Sequence, residues 1–207
     1  EMPGEYWIDK DFPLFHIGPF LHHGENTLTI KAARMNILAE VMPVYLLGEF
    51  LVTPSEKGFE IAGGEINGAG SWQEAGLPFY SQAVGYSLDF NVDEISGSTF
   101  VVQLGDWNGT LAEVVVNGTK AGLIAWQPYE LDVTEWIKKG TNKITVSIYG
   151  SLKNTFGFFY EDNDNWIFGP FSWNIAPAGI PPASDYFLMD YGLFEPFELI
   201  RTNNSGK

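Results

Sequence analysis

Three valines, 114 to 116 in "AEVVVNGTKAG" (112–122), run straight into Asn117-Gly118, and a second apolar stretch comes after the turn. Asn and Gly both accept the positive φ angles of a type I′ turn, whose twist suits two antiparallel strands. The same alternation of apolar runs and turn residues recurs in "TLTIKAA" (27–33), "VGYSLDFNV" (84–92), "STFVVQLG" (98–105) and "NKITVSIYG" (142–150). Helical periodicity is scarce, because Gly and Pro interrupt most windows that would carry it. Short strands divided by turns predict an all-β chain, folded as an antiparallel sandwich or barrel. After the hairpin, Asp132 or Thr134 is placed to cap one helical turn that ends at Gly140. Asn117, Gly118, Asp132 and Gly140 therefore read as structural.

An internal echo sets the domain organisation. "FPLFHIGPFLHHGENTLTIKA" (12–32) parallels "PYELDVTEWIKKGTNKITVSI" (128–148), with Gly24 and Gly140, and Asn26 and Asn142, both 116 residues apart (140 − 24 and 142 − 26). Ile17 meets Val133, Leu21 meets Ile137 and Ile30 meets Val146 at the same offset. One supersecondary unit used twice predicts tandem sandwiches. Residues 1–55 then read as the C-terminal part of a preceding sandwich, and 56–207 as a complete second one. A partial sandwich exposes a sheet face, so the tail is expected to pack on the second module or on further chain.

Composition narrows the partners. A net charge of −15 repels polyanions, so nucleic acid and acidic membrane surfaces are excluded as ligands. Neutral ligands, cations or basic partners remain. With no cysteine, disulfides, thiolate metal sites and a Cys nucleophile are excluded. No apolar run approaches the ~18 residues of a membrane span. The opening residues lack the charged and apolar regions of a signal peptide, and a start at Glu1 suggests a processed or excised piece.

The segments "GSWQEAGLPFYSQAVGYSLDFNV", "AEVVVNGTKAGLIAWQPYELDVTEWIKKGTNKITVSI" and "GSLKNTFG" resemble the sugar-binding, galactose-binding-like domain of family 2 glycoside hydrolases and related rhamnosidase-like enzymes. The matching positions are Trp72, Gly76, Pro78, Tyr80, Asn117, Gly118, Gly122, Asp132, Thr134, Gly140 and Asn142, and "YFLMDYGLFEPFEL" is similar to the closing strand of the rhamnosidase-like relatives. The resemblance implies a jelly-roll β-sandwich, galactose-binding-like in type, serving beside a separate catalytic barrel. A barrel alone takes ~250 residues, more than this chain holds. The implied setting is a secreted or periplasmic bacterial enzyme.

Two loops carry candidate ligand chemistry. The apolar C–H face of a pyranose stacks on Trp or Tyr, while its hydroxyls need planar polar partners. "GSWQEAGLPFY" offers Trp72 and Tyr80, and "NTFGFFYEDNDNWIFGPFSW" offers Asn154, Tyr160 and Trp166; Trp126 lies between them. These six form the expected carbohydrate site, at one end of the sandwich. Asp162 and Asp164 in "EDNDN" have the spacing that opens a calcium loop, which makes a structural calcium the one metal candidate. The Gly and Glu that complete an EF-hand are missing, and a solvated acidic loop is the competing reading. Hydrolysis needs two carboxyls roughly 5–9.5 Å apart, and no pair among the 26 acids is singled out by spacing.

The sequence thus predicts a non-catalytic accessory module that binds a neutral oligosaccharide or polysaccharide and belongs with a parent catalytic domain. A purely structural domain supporting a glycoside hydrolase barrel is the alternative.

Overall fold

A computed structural model describes residues 4–31, 37, 44–157 and 179–203. The chain divides into two compact units, Glu1–Leu47 and Gly48–Lys207, a division ahead of the boundary near 55 read from the sequence.

In the first unit the described residues form a bridge between Tyr6 and Pro13 and a 3-10 turn, Gly18–Phe20. Trp7 packs edge-on against Phe12 at 6.0 Å and at a tilt against Tyr45 at 5.5 Å. The strand expected at 27–33 does not form over the described residues 27–31. Extended backbone becomes a strand only when a neighbour completes its ladder.

The second unit is built from β1 (Leu51–Ser55), β2 (Gly58–Ala62), β3 (Gly70–Ser71), β4 (Ala83–Val92), β5 (Ser98–Gln103), β6 (Trp107–Asn108), β7 (Leu111–Val116), β8 (Thr119–Ile124), β9 (Glu130–Asp132), β10 (Gly140–Tyr149), β11 (Gly192–Leu193) and β12 (Glu198–Asn203). Its main layer is the antiparallel sheet β4-β10-β7-β8, and β12-β5-β9 forms a second sheet. The smaller sheets β1-β2 and β3-β11-β6 complete the unit. The fold is all-β and sandwich-like, as the strand pattern predicts.

Alternation places the core. In β7, Ala112, Val114 and Val116 are buried while their neighbours are not, and in β5 Phe100 and Val102 follow the same rule. Register aligns Val116, Val114 and Ala112 with Ile144, Val146 and Ile148 of β10, so one face of the sheet is continuous hydrocarbon. Val133 and Phe197 join the same cluster.

The hairpin between β7 and β8 turns as its sequence requires, with φ of 52° at Asn117 and 83° at Gly118. Nothing lies within 4 Å of a Cβ built at Gly118, so a substitution there meets backbone strain alone. Gly118→Ala is expected to cost about 1–2 kcal/mol in urea unfolding, the penalty of left-handed backbone for an L-residue. A cost near zero would show that the turn rearranges freely.

Beyond β9 the chain makes one helical turn, a 3-10 segment Thr134–Trp136 with Val133 at its N-cap, which closes at Ile137 rather than at Gly140 as the sequence predicts. The Asp132 carboxylate accepts from Thr134 N at 2.9 Å and Thr134 Oγ1 at 2.6 Å. Those two bonds favour the charged form and hold Asp132 below the ordinary carboxylate range. Thr134 Oγ1 in turn accepts from Phe100 N at 2.8 Å, which fastens the turn to β5.

Candidate functional site

One end of the main sheet gathers the residues singled out for ligand binding. Register sets Val84, Ile148, Ala112 and Ile124 in one row across β4, β10, β7 and β8. Tyr80 stands just ahead of β4, Trp126 just beyond β8, and Asn154 just beyond β10, all past that row. Tyr80 leads into β4 and Trp126 follows β8, the outer two strands of the sheet, which lie three strand spacings or about 14 Å from one another.

The structure divides these residues by exposure. Trp126 is 80% exposed and Tyr80 is 37% exposed, whereas Trp72 is 2% and Asn154 1%. Trp72 is therefore a core residue. Its backbone N–H donates to Tyr191 O at 2.8 Å, its Nε1 donates to Tyr86 Oη at 2.8 Å, and its ring meets Tyr191 at 5.8 Å and Tyr80 at 6.0 Å. Gly150 lies so close that a Cβ there would stand 2.9 Å from the Trp72 ring. An indole walled in this way offers no face to a sugar.

Asn154 is occupied in the same sense. Its Nδ2 donates to Pro78 O at 2.8 Å and Met189 O at 2.7 Å, and its Oδ1 accepts from Met189 N at 2.9 Å. Thr155 Oγ1 donates to Phe79 O at 2.8 Å beside it. The short helix Lys153–Phe156 is thereby pinned to the loop that carries Tyr80. Buried hydrogen bonds, rather than a shared ligand surface, bring Asn154 and the Tyr80 loop together. Trp72 and Asn154 position the rim, Tyr80 is partly exposed with its ring against Trp72, and Trp126 is exposed.

Tyr160, Trp166, Asp162 and Asp164 lie outside the described residues, so the calcium site has no geometry to weigh. Among the described residues, no group of three His, Asp or Glu side chains is placed to hold a metal.

Tyr80 also borders a surface cavity of about 420 Å³, lined by Glu49, Phe50, Leu51, Ile66, Leu77 and Val84 among others. Sequence reasoning missed this cavity. Its walls come from strand ends and loops far apart in the chain, and no motif announces them. Among the described residues the lining is mostly apolar, with one carboxylate, Glu49. Such a surface suits the C–H face of a neutral ring, with Glu49 as an acceptor for a hydroxyl.

Lys153 is a cation held in place near this end. Its Nζ donates to Phe187 O at 2.7 Å and sits 4.8 Å from the centre of the Phe187 ring. Partial burial lowers its pKa from the ordinary lysine value. No helix among the described residues is long and apolar enough to cross a membrane.

No protein-family model matches the chain, and no curated protein does. Among solved structures the chain is similar to a rhamnosidase from Novosphingobium sp. PP1Y, at 26% identity over 61% of this chain and 12% of that one, with a TM-score of 0.44. It is also similar to a β-glucuronidase from Bifidobacterium dentium complexed with coumarin-3-O-glucuronide, at 27% identity over 39% and 14% of the two chains, TM-score 0.34. A β-D-mannosidase from Dictyoglomus thermophilum aligns at 20% identity over 75% and 22%, TM-score 0.38. The chain thus spans between 12% and 22% of these three proteins' lengths.

Proposed function

We propose that this chain is an accessory β-sandwich module, galactose-binding-like in type, of a larger carbohydrate-active enzyme, and that it holds a neutral glycan at the rim that carries Tyr80 and Trp126. The supporting observation is Trp126, an indole 80% exposed at the same end of the sheet as the cavity bordered by Tyr80. Burial of so large an apolar surface is favourable, and a ligand ring supplies it where the protein does not. Glycans sit well on such rings, because their C–H faces stack and their hydroxyls stay in water. A chain of net charge −15 also favours neutral sugars over acidic ones. The parent enzyme would meet its polysaccharide outside the cytoplasm, secreted or periplasmic in a bacterium.

Affinity electrophoresis through gels containing neutral plant and microbial polysaccharides tests the reading. At least one polysaccharide should retard the protein, and Trp126→Ala should migrate freely while melting at the parent temperature. An exposed residue contributes within about 0.5 kcal/mol to stability. Equal retardation of the variant would remove Trp126 from the site.

A second reading is a scaffold with no ligand of its own, favoured by the burial of Trp72 and Asn154. Free migration of the parent protein through every neutral glycan would establish it in place of the first.

A further inference from the structure

The two sequence echoes share a backbone and a hydrogen-bond pattern, and only one of them is covered. In the first unit Phe20 N donates to Ile17 O at 2.9 Å and Leu21 N to Gly18 O at 3.2 Å. In the second, Trp136 N donates to Val133 O at 3.0 Å and Ile137 N to Thr134 O at 3.4 Å. Gly24 then takes φ 92° and Gly140 takes φ 93°. Asn26 accepts from His22 N at 3.0 Å and donates to His22 O at 2.8 Å and Gly24 O at 2.9 Å. Asn142 accepts from Lys138 N at 2.9 Å and donates to Lys138 O at 2.7 Å and Gly140 O at 3.0 Å. The same asparagine clamp is built twice from the same positions.

The two copies differ beyond the clamp. In the second unit the chain leaves as β10, held between β4 and β7, with Ile144 and Val146 at 0% exposure and Ile137 at 8%. Their counterparts 116 positions earlier are Leu28 at 60%, Ile30 at 68% and Leu21 at 51%. Asn117, from the β7-β8 hairpin, seals the second clamp. Its Nδ2 donates to Trp136 O at 3.1 Å and Asn142 Oδ1 at 2.9 Å, and its backbone N donates to Lys143 O at 2.8 Å. The equivalent acceptors in the first unit are Phe20 O, Asn26 Oδ1 and Thr27 O.

We infer that the apolar face of residues 17–31 is the docking surface for a two-sided β-sheet pair of the kind β4 and β7 make on β10, supplied by polypeptide N-terminal to residue 12. The repeat defines the chemistry of the occupant: two strands, one on either edge of residues 27–31 and each antiparallel to them, with apolar residues on alternate positions. The repeat also fixes its place in the chain, because β4, β7 and β8 all precede the shared segment in the second unit. With them, residues 27–31 gain ladder partners on both edges and Leu28 and Ile30 leave water. The first unit is then the closing part of a tandem sandwich. This inference is independent of the glycan reading.

Thiol accessibility tests it, because the chain has no native cysteine. Ile30→Cys and Leu28→Cys are made both in the 207-residue chain and in the polypeptide extended to its natural N-terminus, with Ile61→Cys, 60% exposed in β2, as the reference. Alkylation by N-ethylmaleimide is monitored at the peptide level by mass spectrometry. In the 207-residue chain all three thiols should react at similar rates. In the extended polypeptide Cys at 28 and 30 should react at least about 100-fold more slowly, since reaction then requires opening of a packed strand, while position 61 is unchanged. Equal rates in the two proteins would overturn the proposal. So would protection already present in the shorter chain: concentration-dependent protection would assign the face to a second copy, and concentration-independent protection to the chain's own second unit.

Discussion

Asn142→Leu should lower the unfolding free energy of the second unit by about 3–5 kcal/mol, read as a shift in urea midpoint at constant slope. Asn142 has no exposed surface. Its amide uses its whole capacity: Oδ1 accepts from Lys138 N at 2.9 Å and Asn117 Nδ2 at 2.9 Å, and Nδ2 donates to Lys138 O at 2.7 Å and Gly140 O at 3.0 Å. Leucine has nearly the same shape and none of these groups. The backbone of 138–140 would be left without these partners and Asn117 Nδ2 would keep only Trp136 O, and each buried orphan costs about 1–3 kcal/mol. The partial exposure of Lys138 and Gly140 lets water recover some of that loss, which is why the expected total falls short of the simple sum. The matched variant Asn26→Leu, in the exposed copy of the clamp, should cost about 1 kcal/mol or less in the 207-residue chain, because water replaces the lost partners. Equal costs at the two positions would show that burial does not separate the clamps.

The second large effect distinguishes two tryptophans that look alike in the sequence. Trp72→Ala should destabilise the second unit by about 3–5 kcal/mol, the usual range for removing a buried aromatic. The lost contacts are with Tyr191 and Tyr80, and with Gly150, whose Cα approaches the ring because it carries no side chain. Tyr86 Oη also loses the 2.8 Å donor that Trp72 Nε1 supplies. Trp72→Phe should recover part of the packing but not that hydrogen bond, giving an intermediate cost. Glycan retention should weaken in Trp72→Ala only as far as the rim around Tyr80 loosens, whereas Trp126→Ala removes retention without loss of stability. Calorimetry and affinity electrophoresis on the two variants separate a core indole from an outward one. A thermally silent Trp72→Ala would contradict its place in the core.

The strands were legible because their signal is local. Alternation in "STFVVQLG" and "AEVVVNG" reports which face meets the core, and Asn117-Gly118 reports the turn by its tolerance of positive φ. The site was legible only in outline. Loop position alone placed Trp72, Tyr80, Trp126 and Asn154 near one end of the sheet, but a tryptophan beside Gly and Pro gives no sign of which way its ring turns. The hydrogen bonds from Asn154 to Pro78 and Met189 span 76 and 35 residues, and no short window of sequence contains them. The cavity beside Tyr80 escaped for the same reason, since Glu49, Ile66 and Val84 meet only after the strands have paired.

By itself, then, the sequence determined the all-β class, the main strands of the second unit, the type I′ hairpin and the 116-residue repeat that pairs Asn26 with Asn142. All of these depend on short-range backbone preference and side-chain alternation. Only the tertiary structure decided that Trp72 is walled in while Trp126 stands in water, and that Ile144 is covered while Leu28 is exposed. Burial is a property of what packs across from a residue, and those neighbours come from distant parts of the chain.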